Sequence, residues 1–229
     1  MVPALAAVVA VAFFVGFVGW AYLYARKQQA MANAAWGQIA ARYDGHFDPK
    51  HGPWYRRSRR IDMVVDEAPM VVDTYAVSTG KQTTVYTRLA MSAGCSGRLK
   101  LDVFRKHALS GLSRALGFQD VETGDPVFDE EFVVKANDEA LARAWLDADV
   151  RAAIAASPDY RFKLEEGRVV VSKPTVERDA AVLDRDARAT ATMATRGDRI
   201  RDNWAALAAE RDGRAHRDET GKLRIEVES

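Results

Sequence analysis

Residues 61–91 read IDMVVDEAPMVVDTYAVSTGKQTTVYTRLAM, and their period is two. Ile61, Met63 and Val65 alternate. Val71, Asp73, Tyr75 and Val77 share one side of the next run, and Val85, Thr87, Leu89 and Met91 follow. Glu67-Ala68-Pro69 and Thr79-Gly80-Lys81 separate these runs as turns. Alternation bounded by turn residues is the mark of half-buried strands. Connections this short join antiparallel neighbours, because a parallel pair needs a crossover of a dozen residues or more. Leu99, Leu101 and Val103 continue the pattern after Gly94–Gly97. Residues 43–104 therefore predict an antiparallel meander of about four strands.

Downstream the period lengthens. Leu109, Leu112 and Leu116 predict a short helix over 107–116, stopped by Gly117. Gly124-Asp125-Pro126 makes a turn, and Phe128–Val134 returns to the sheet as a strand. Asn137 is placed to cap a helix on which Leu141, Ala144, Trp145 and Ala148 form the stripe. A second short helix over 150–156 must end before Pro158. Tyr160, Phe162 and Leu164, then Val169 and Val171, form a hairpin around Glu166-Gly167. From Val176 to Arg211 small residues recur by threes and fours: Ala180, Leu183, Ala187, Thr190, Ala194 and Gly197. That spacing predicts one long helix, with Gly197 at a kink or close contact. Residues 212–229 read as a polar, mobile tail.

Upstream, Met1 to Ala25 carry no charged side chain, and Arg26 and Lys27 end the run. At ~1.5 Å per residue this length suits a bilayer core of roughly 30 Å. Trp20, Tyr22 and Tyr24 match an interfacial belt. A cleaved signal peptide would have a basic start and a shorter apolar core, although Ala30, Ala32 and Ala34 also fit a cleavage site. Basic residues on the C-terminal flank place the domain in the cytoplasm and the N-terminus outside. Residues 26–42 continue as a helical stalk. Its small-residue face, Ala30, Ala34, Gly37 and Ala41, is expected to pack on the C-terminal helix.

The net charge of +1 hides a division. Residues 1–60 hold eight Lys/Arg and two Asp/Glu, residues 61–148 nine against fourteen, and residues 149–229 sixteen of each. A basic block beside the anchor favours anionic lipid, whereas a nucleic-acid binder is basic throughout its domain. The single cysteine, Cys95, excludes an internal disulfide and a cysteine-based metal site.

Gly124-Asp125-Pro126, Phe128-Asp129, Phe132, Val134, Asp138 and Trp145-Leu146 form a G-D-x-x-F-D-x-x-F-x-V pattern before a short helix. With Ala35-Trp36 through Ala41-Arg42 and Tyr43-Asp44-Gly45, this resembles uncharacterised bacterial membrane-anchored proteins. The resemblance covers about a third of the chain. It implies a single N-terminal anchor, an α+β domain on the cytoplasmic side of a bacterial inner membrane, and no assigned activity.

Four groups invite chemistry. Cys95 sits among small residues, with His46, His51 or His107 as a base, the basis of a membrane-tethered cysteine hydrolase. Its surroundings carry no hydrolase signature, so a strand connection is the plainer reading. His46 and His51 stand five apart across Pro49, a loop more than a metal site. Asp129, Glu130 and Glu131 are adjacent acids, of which Asp129 and Glu131 share one side of an expected strand, a pair for acid–base work against a surface edge or turn near Asp125. Trp54-Tyr55-Arg56-Arg57-Ser58-Arg59-Arg60 offers Arg56, Arg57, Arg59 and Arg60 to lipid phosphates, against a solvated strand start.

The sequence thus reads as α+β: a transmembrane helix (1–25), a helical stalk (26–42), a meander sheet with helices packed on it (43–175), a long C-terminal helix (176–211) and the tail (212–229). The expected role is binding or scaffolding without catalysis, by a single-pass protein. No cofactor or metal is expected. The expected partners are the bilayer through residues 1–25, an anionic lipid surface and an unidentified protein, and no nucleic acid.

Overall fold

The computed structural model describes residues 2–53, 56–80, 82–93, 99–106, 118–202, 214–217 and 223–226, with backbone alone for 2–12, 198–202, 214–217 and 223–226. The fold is α+β. One helix, α1 (Val2–Arg42), enters a nine-stranded antiparallel sheet with spatial order β1-β2-β3-β4-β9-β8-β5-β7-β6. The strands are β1 (His46–His51), β2 (Ser58–Val65), β3 (Ala68–Thr79), β4 (Gln82–Ser92), β5 (Leu101–Arg105), β6 (Gln119–Asp120), β7 (Phe132–Ala136), β8 (Arg161–Glu165) and β9 (Arg168–Lys173). Between them run α2 (Pro126–Glu131), α3 (Glu139–Trp145) and α4 (Ala148–Ala156), and α5 (Ala180–Asp202) follows. Among the described residues, no helix is long and apolar enough to cross a membrane.

β2, β3 and β4 are consecutive neighbours, as the alternation predicts, while His46–His51, read from the sequence as a loop, pairs with β2 as the edge strand β1. Asp66 and Glu67 close the β2–β3 turn with φ of 48° and 66°, the left-handed pair that a two-residue hairpin turn requires. The core side of β3 is Met70 and Val72, which face Met91 and Leu89; Val71, Asp73, Tyr75 and Val77 lie on the opposite face. The meander then breaks. The β8–β9 hairpin inserts between β4 and β5, so the strand at Leu101–Arg105 does not neighbour β4. Local alternation signals a strand but not its neighbour.

Other differences are local. Phe128 to Glu131 belong to α2, not a strand, because the Asp125 carboxylate accepts from the Val127 and Phe128 amides and Pro126 starts the helix. The cap of α3 is Asp138, while the Asn137 side chain accepts from the Lys100 amide at 2.7 Å. α5 begins at Ala180, four residues later than the spacing predicts. Within residues 212–229, Arg214–Arg217 pair with Leu223–Glu226 as an antiparallel two-stranded sheet, β10 and β11. Residues 107–116 and 203–211 lie outside the described residues.

α1 and α5 do pack together, but not through the expected face of the stalk. Ala30, Ala34 and Ala41 are exposed, whereas Ala32, Ala35, Trp36, Ile39 and Ala40 are buried. Trp36 and Ile39 offer far more apolar area than alanines, so burial selects their face. On α5 the expected face holds: Leu183, Ala187, Thr190, Ala194 and Gly197 are buried. A Cβ at Gly197 would stand 2.2 Å from the Ala93 carbonyl oxygen. Gly197→Ala is therefore expected to destabilise the fold by about 1–2 kcal/mol, overpacking outweighing the gain in helix propensity. Urea unfolding measures this; an unchanged midpoint would show that α5 does not touch the end of β4.

Candidate functional site

The second half of α1 is built into the domain by polar contacts as well as packing. The Trp36 indole N–H donates to the Glu177 carbonyl at 2.9 Å. The Tyr43 hydroxyl donates to Asp184 at 2.8 Å, and Arg42 and Arg188 pair with the same carboxylate. Burial would raise the Asp184 pKa, but the Tyr43 hydroxyl and the two arginines together hold it below the usual carboxylate range. Behind this seam lies a buried network. Ser157 donates to Asp186 at 2.6 Å, and the Lys173 ammonium sits 4.8 Å from the Tyr160 ring centroid while pairing with Glu177. Burial, then the Asp186 charge, pushes the Tyr160 phenol well above the ordinary tyrosine range. These groups tie β8 and β9 to α5 and open onto no described cleft.

The four arginines of the basic run part company. Arg56 and Arg57 are exposed on the β1–β2 loop. Arg59 turns inward and its Nε donates to Asn33 of α1 at 2.8 Å. Arg60 is on the uncovered face of the sheet, where it grips Asp62 through Nε and Nη2 at 2.6–3.0 Å. This hydrogen bonding raises the Arg60 pKa and lowers that of Asp62. Two of the four thus serve the fold. Alternation along β2 separates Arg59 from Arg60 and puts Asp62 on the Arg60 side, but only tertiary structure brings Asn33 to Arg59.

The remaining candidates are dispersed. Cys95 and His107 lie outside the described residues. His46 and His51 stand at opposite ends of β1, with His51 3.4 Å from Asp48. No group of three potential metal ligands gathers among the described residues. Asp129 caps its own loop, accepting from the Thr123 hydroxyl and the Thr123 and Gly124 amides. Glu131 pairs with Arg105. A cleft of ≈ 410 Å³ between β6, β7 and α3 is lined by Asp129, Phe132, Glu139 and Arg143. The last two pair with each other at 2.7 Å.

No family model matches the chain, and no curated protein matches it in sequence. Its fold is similar to the crystal structure of the mycobacterial trehalose monomycolate transport factor A, TtfA. The TM-score is 0.50 at 13% identity, over 77% of this chain and 93% of that one. At that identity the likeness concerns the fold alone.

Proposed function

We propose that the chain is a single-pass, membrane-anchored protein of the bacterial inner membrane. Its α+β domain binds or scaffolds on the cytoplasmic side without catalysis. The observation that carries this reading is the continuity of α1. Phe13, Phe17, Trp20 and Leu23 are 62–79% exposed on the same unbroken helix whose Trp36 and Ile39 are buried in the domain. An apolar surface of this kind is unfavourable in water and favourable in hydrocarbon. The span also counts on residues 1–12, which are apolar in sequence. The exposure of Arg56 and Arg57 favours anionic lipid as a further partner. An unidentified protein is the other partner of a scaffold. Full-length protein is expected to stay with membranes through an alkaline carbonate wash, and a reporter after Ser229 to read cytoplasmic. Release into the soluble fraction overturns the anchor; a reporter on the outer side overturns the orientation.

A further inference from the structure

The way α1 leaves the domain fixes which end of the sheet faces the anchor. Gly45, just beyond α1, packs on Met63 of β2, and Asn33, twelve positions earlier, holds Arg59 at the beginning of β2. Moving back along α1 therefore moves back along β2. The helix passes out at the end of the sheet that carries the β1–β2 connection, with Gly52, Pro53, Arg56 and Arg57, the β3–β4 turn at Gly80 and the β9–α5 link (174–179); the α2–β7 junction and the α4–β8 link lie at the same end across the sheet.

The β3–β4 hairpin reaches beyond its neighbours at this end. Pairing of β2 with β3 stops at Arg60↔Asp73, and that of β9 with β4 stops at Lys173↔Thr87. Residues 74–79 and 82–86 thus project as a two-stranded ribbon, stiffened by the Tyr75–Tyr86 stack at 5.1 Å. Five residues of strand at about 3.3 Å each carry its turn roughly 17 Å past the Asn33 level. That is about eleven residues of helix, which brings the turn abreast of the stretch from Tyr22 to Arg26.

On the α1 side of the sheet, charge divides along the same axis. Arg56, Arg57 and Arg178 are exposed at the anchor-side end, with Arg59 half-buried between them and α1, and Arg26 and Lys27 exposed on the helix. None of Arg56, Arg57, Arg59 and Arg178 has a carboxylate partner among the described residues. Arg178 follows Glu177, which is bonded to Trp36, one turn along α1 from the Asn33 that holds Arg59. The two guanidiniums are close enough that burial and the Arg178 charge together lower the Arg59 pKa. Acids at this end are Asp179, which accepts from the Ala181 amide, Asp48, which lies against His51, and, across the sheet beside β7 and β8, Glu130, Glu131 paired with Arg105, and Asp159. Asp44, Asp66, Glu67, Glu165 and Glu166 are exposed at the far end, with Arg168 opposite Glu165 and Lys100 at the start of β5.

We infer that the domain docks end-on against an anionic bilayer. The β1–β2 loop, the β3–β4 turn and the β9–α5 link meet the headgroups, Arg56, Arg57 and Arg178 make the phosphate contacts, and the acidic end points away. The inference rests on the anchored reading above and deepens it. It replaces Arg60, which is committed to Asp62, with Arg178, which sequence spacing places more than a hundred residues away. The twelve residues of β3 span about 40 Å, several times the ~10 Å Debye length at 0.1 M salt. Lipid phosphates therefore attract the near end while the far acids are screened from them.

The test uses the full chain in lipid nanodiscs of phosphatidylcholine, with or without phosphatidylglycerol, on a Cys95→Ser background. A fluorophore is placed at Thr79→Cys on the ribbon or at Glu165→Cys on the far end, and a quencher is carried on the lipid headgroups. With phosphatidylglycerol, quenching at 79 is expected to exceed that at 165 by about threefold or more. It should fall as salt shortens the screening length from ~10 Å toward ~3 Å. It should fall also in an Arg56→Gln, Arg57→Gln, Arg178→Gln variant. The salt and lipid comparisons do not need the triple arginine change, so they stand even if that change disturbs folding. Equal quenching at both positions, quenching indifferent to anionic lipid, or stronger quenching at 165 overturns end-on docking while leaving the anchor intact. Failure of the chain to enter nanodiscs overturns both. Displacement of the ribbon by RNA with no response to anionic lipid overturns the lipid assignment.

Discussion

Trp36→Ala is expected to destabilise the domain by about 3–5 kcal/mol, the range for removing a buried aromatic. Trp36 is fully buried in the main core, with Phe47 beside it at 6.3 Å between ring centroids. It also ties α1 to the link into α5 through the indole N–H bond to the Glu177 carbonyl. Truncation opens a cavity and leaves that carbonyl without its donor. Trp36→Phe keeps most of the volume and loses the hydrogen bond, so a smaller cost of about 1–2 kcal/mol is expected. Denaturation of the full chain in mild detergent, followed by far-UV circular dichroism, measures both. The effect also has a functional consequence. Trp36 joins the helix proposed to lie in the membrane to the domain, so Trp36→Ala should raise protease sensitivity between residues 26 and 45. Equal stability of Trp36→Ala and the parent would mean that the stalk is not part of the domain core.

The alternation of residues 61–91, the helix signals near 141–156 and the hairpin at 160–171 were legible because each depends on local spacing. Strand order was not. The β8–β9 hairpin pairs with β4 on one side and β5 on the other, and nothing in the alternation of Leu99, Leu101 and Val103 encodes that insertion. The stalk shows a different limit. Two helical faces were available, one of alanines and glycine and one carrying Trp36 and Ile39, and the larger apolar area decided between them. At the basic run, residue type pointed to phosphate contacts for four arginines alike. Asn33, distant in sequence, then claimed Arg59, and Asp62, two residues along the same face of β2, claimed Arg60. Arg178 lacked any local signal, because its place at this end of the sheet follows from the packing of α1 against the β9–α5 link.

Glu177→Ala should have a comparable effect, for an electrostatic reason. Glu177 and Lys173 form an ion pair in which each is under one-tenth exposed as a residue. One Glu177 oxygen also accepts from the Arg178 and Asp179 amides at 2.7 and 2.8 Å, and its own amide donates to Thr87. Removing the carboxylate leaves the Lys173 ammonium buried against the Tyr160 ring with no counter-charge, at a cost of about 3–5 kcal/mol. The double change Lys173→Met, Glu177→Leu removes both charges and should recover much of that loss. Burial acts to raise the Glu177 pKa, but the Lys173 contact and the two amides outweigh it, so the folded value lies below the ordinary 4.5. A carboxylate depressed in this way contributes its stability above the unfolded pKa and loses it as pH falls through the folded value. The parent should therefore shed part of its stability from about pH 4.5 downward. Glu177→Gln, less stable at pH 7, should lack that increment, so the gap between the two narrows as pH falls. Thermal melts at pH 7, 5, 4 and 3 measure the gap, and a gap constant across that range would show that the Lys173–Glu177 pair does not hold the β9–α5 link.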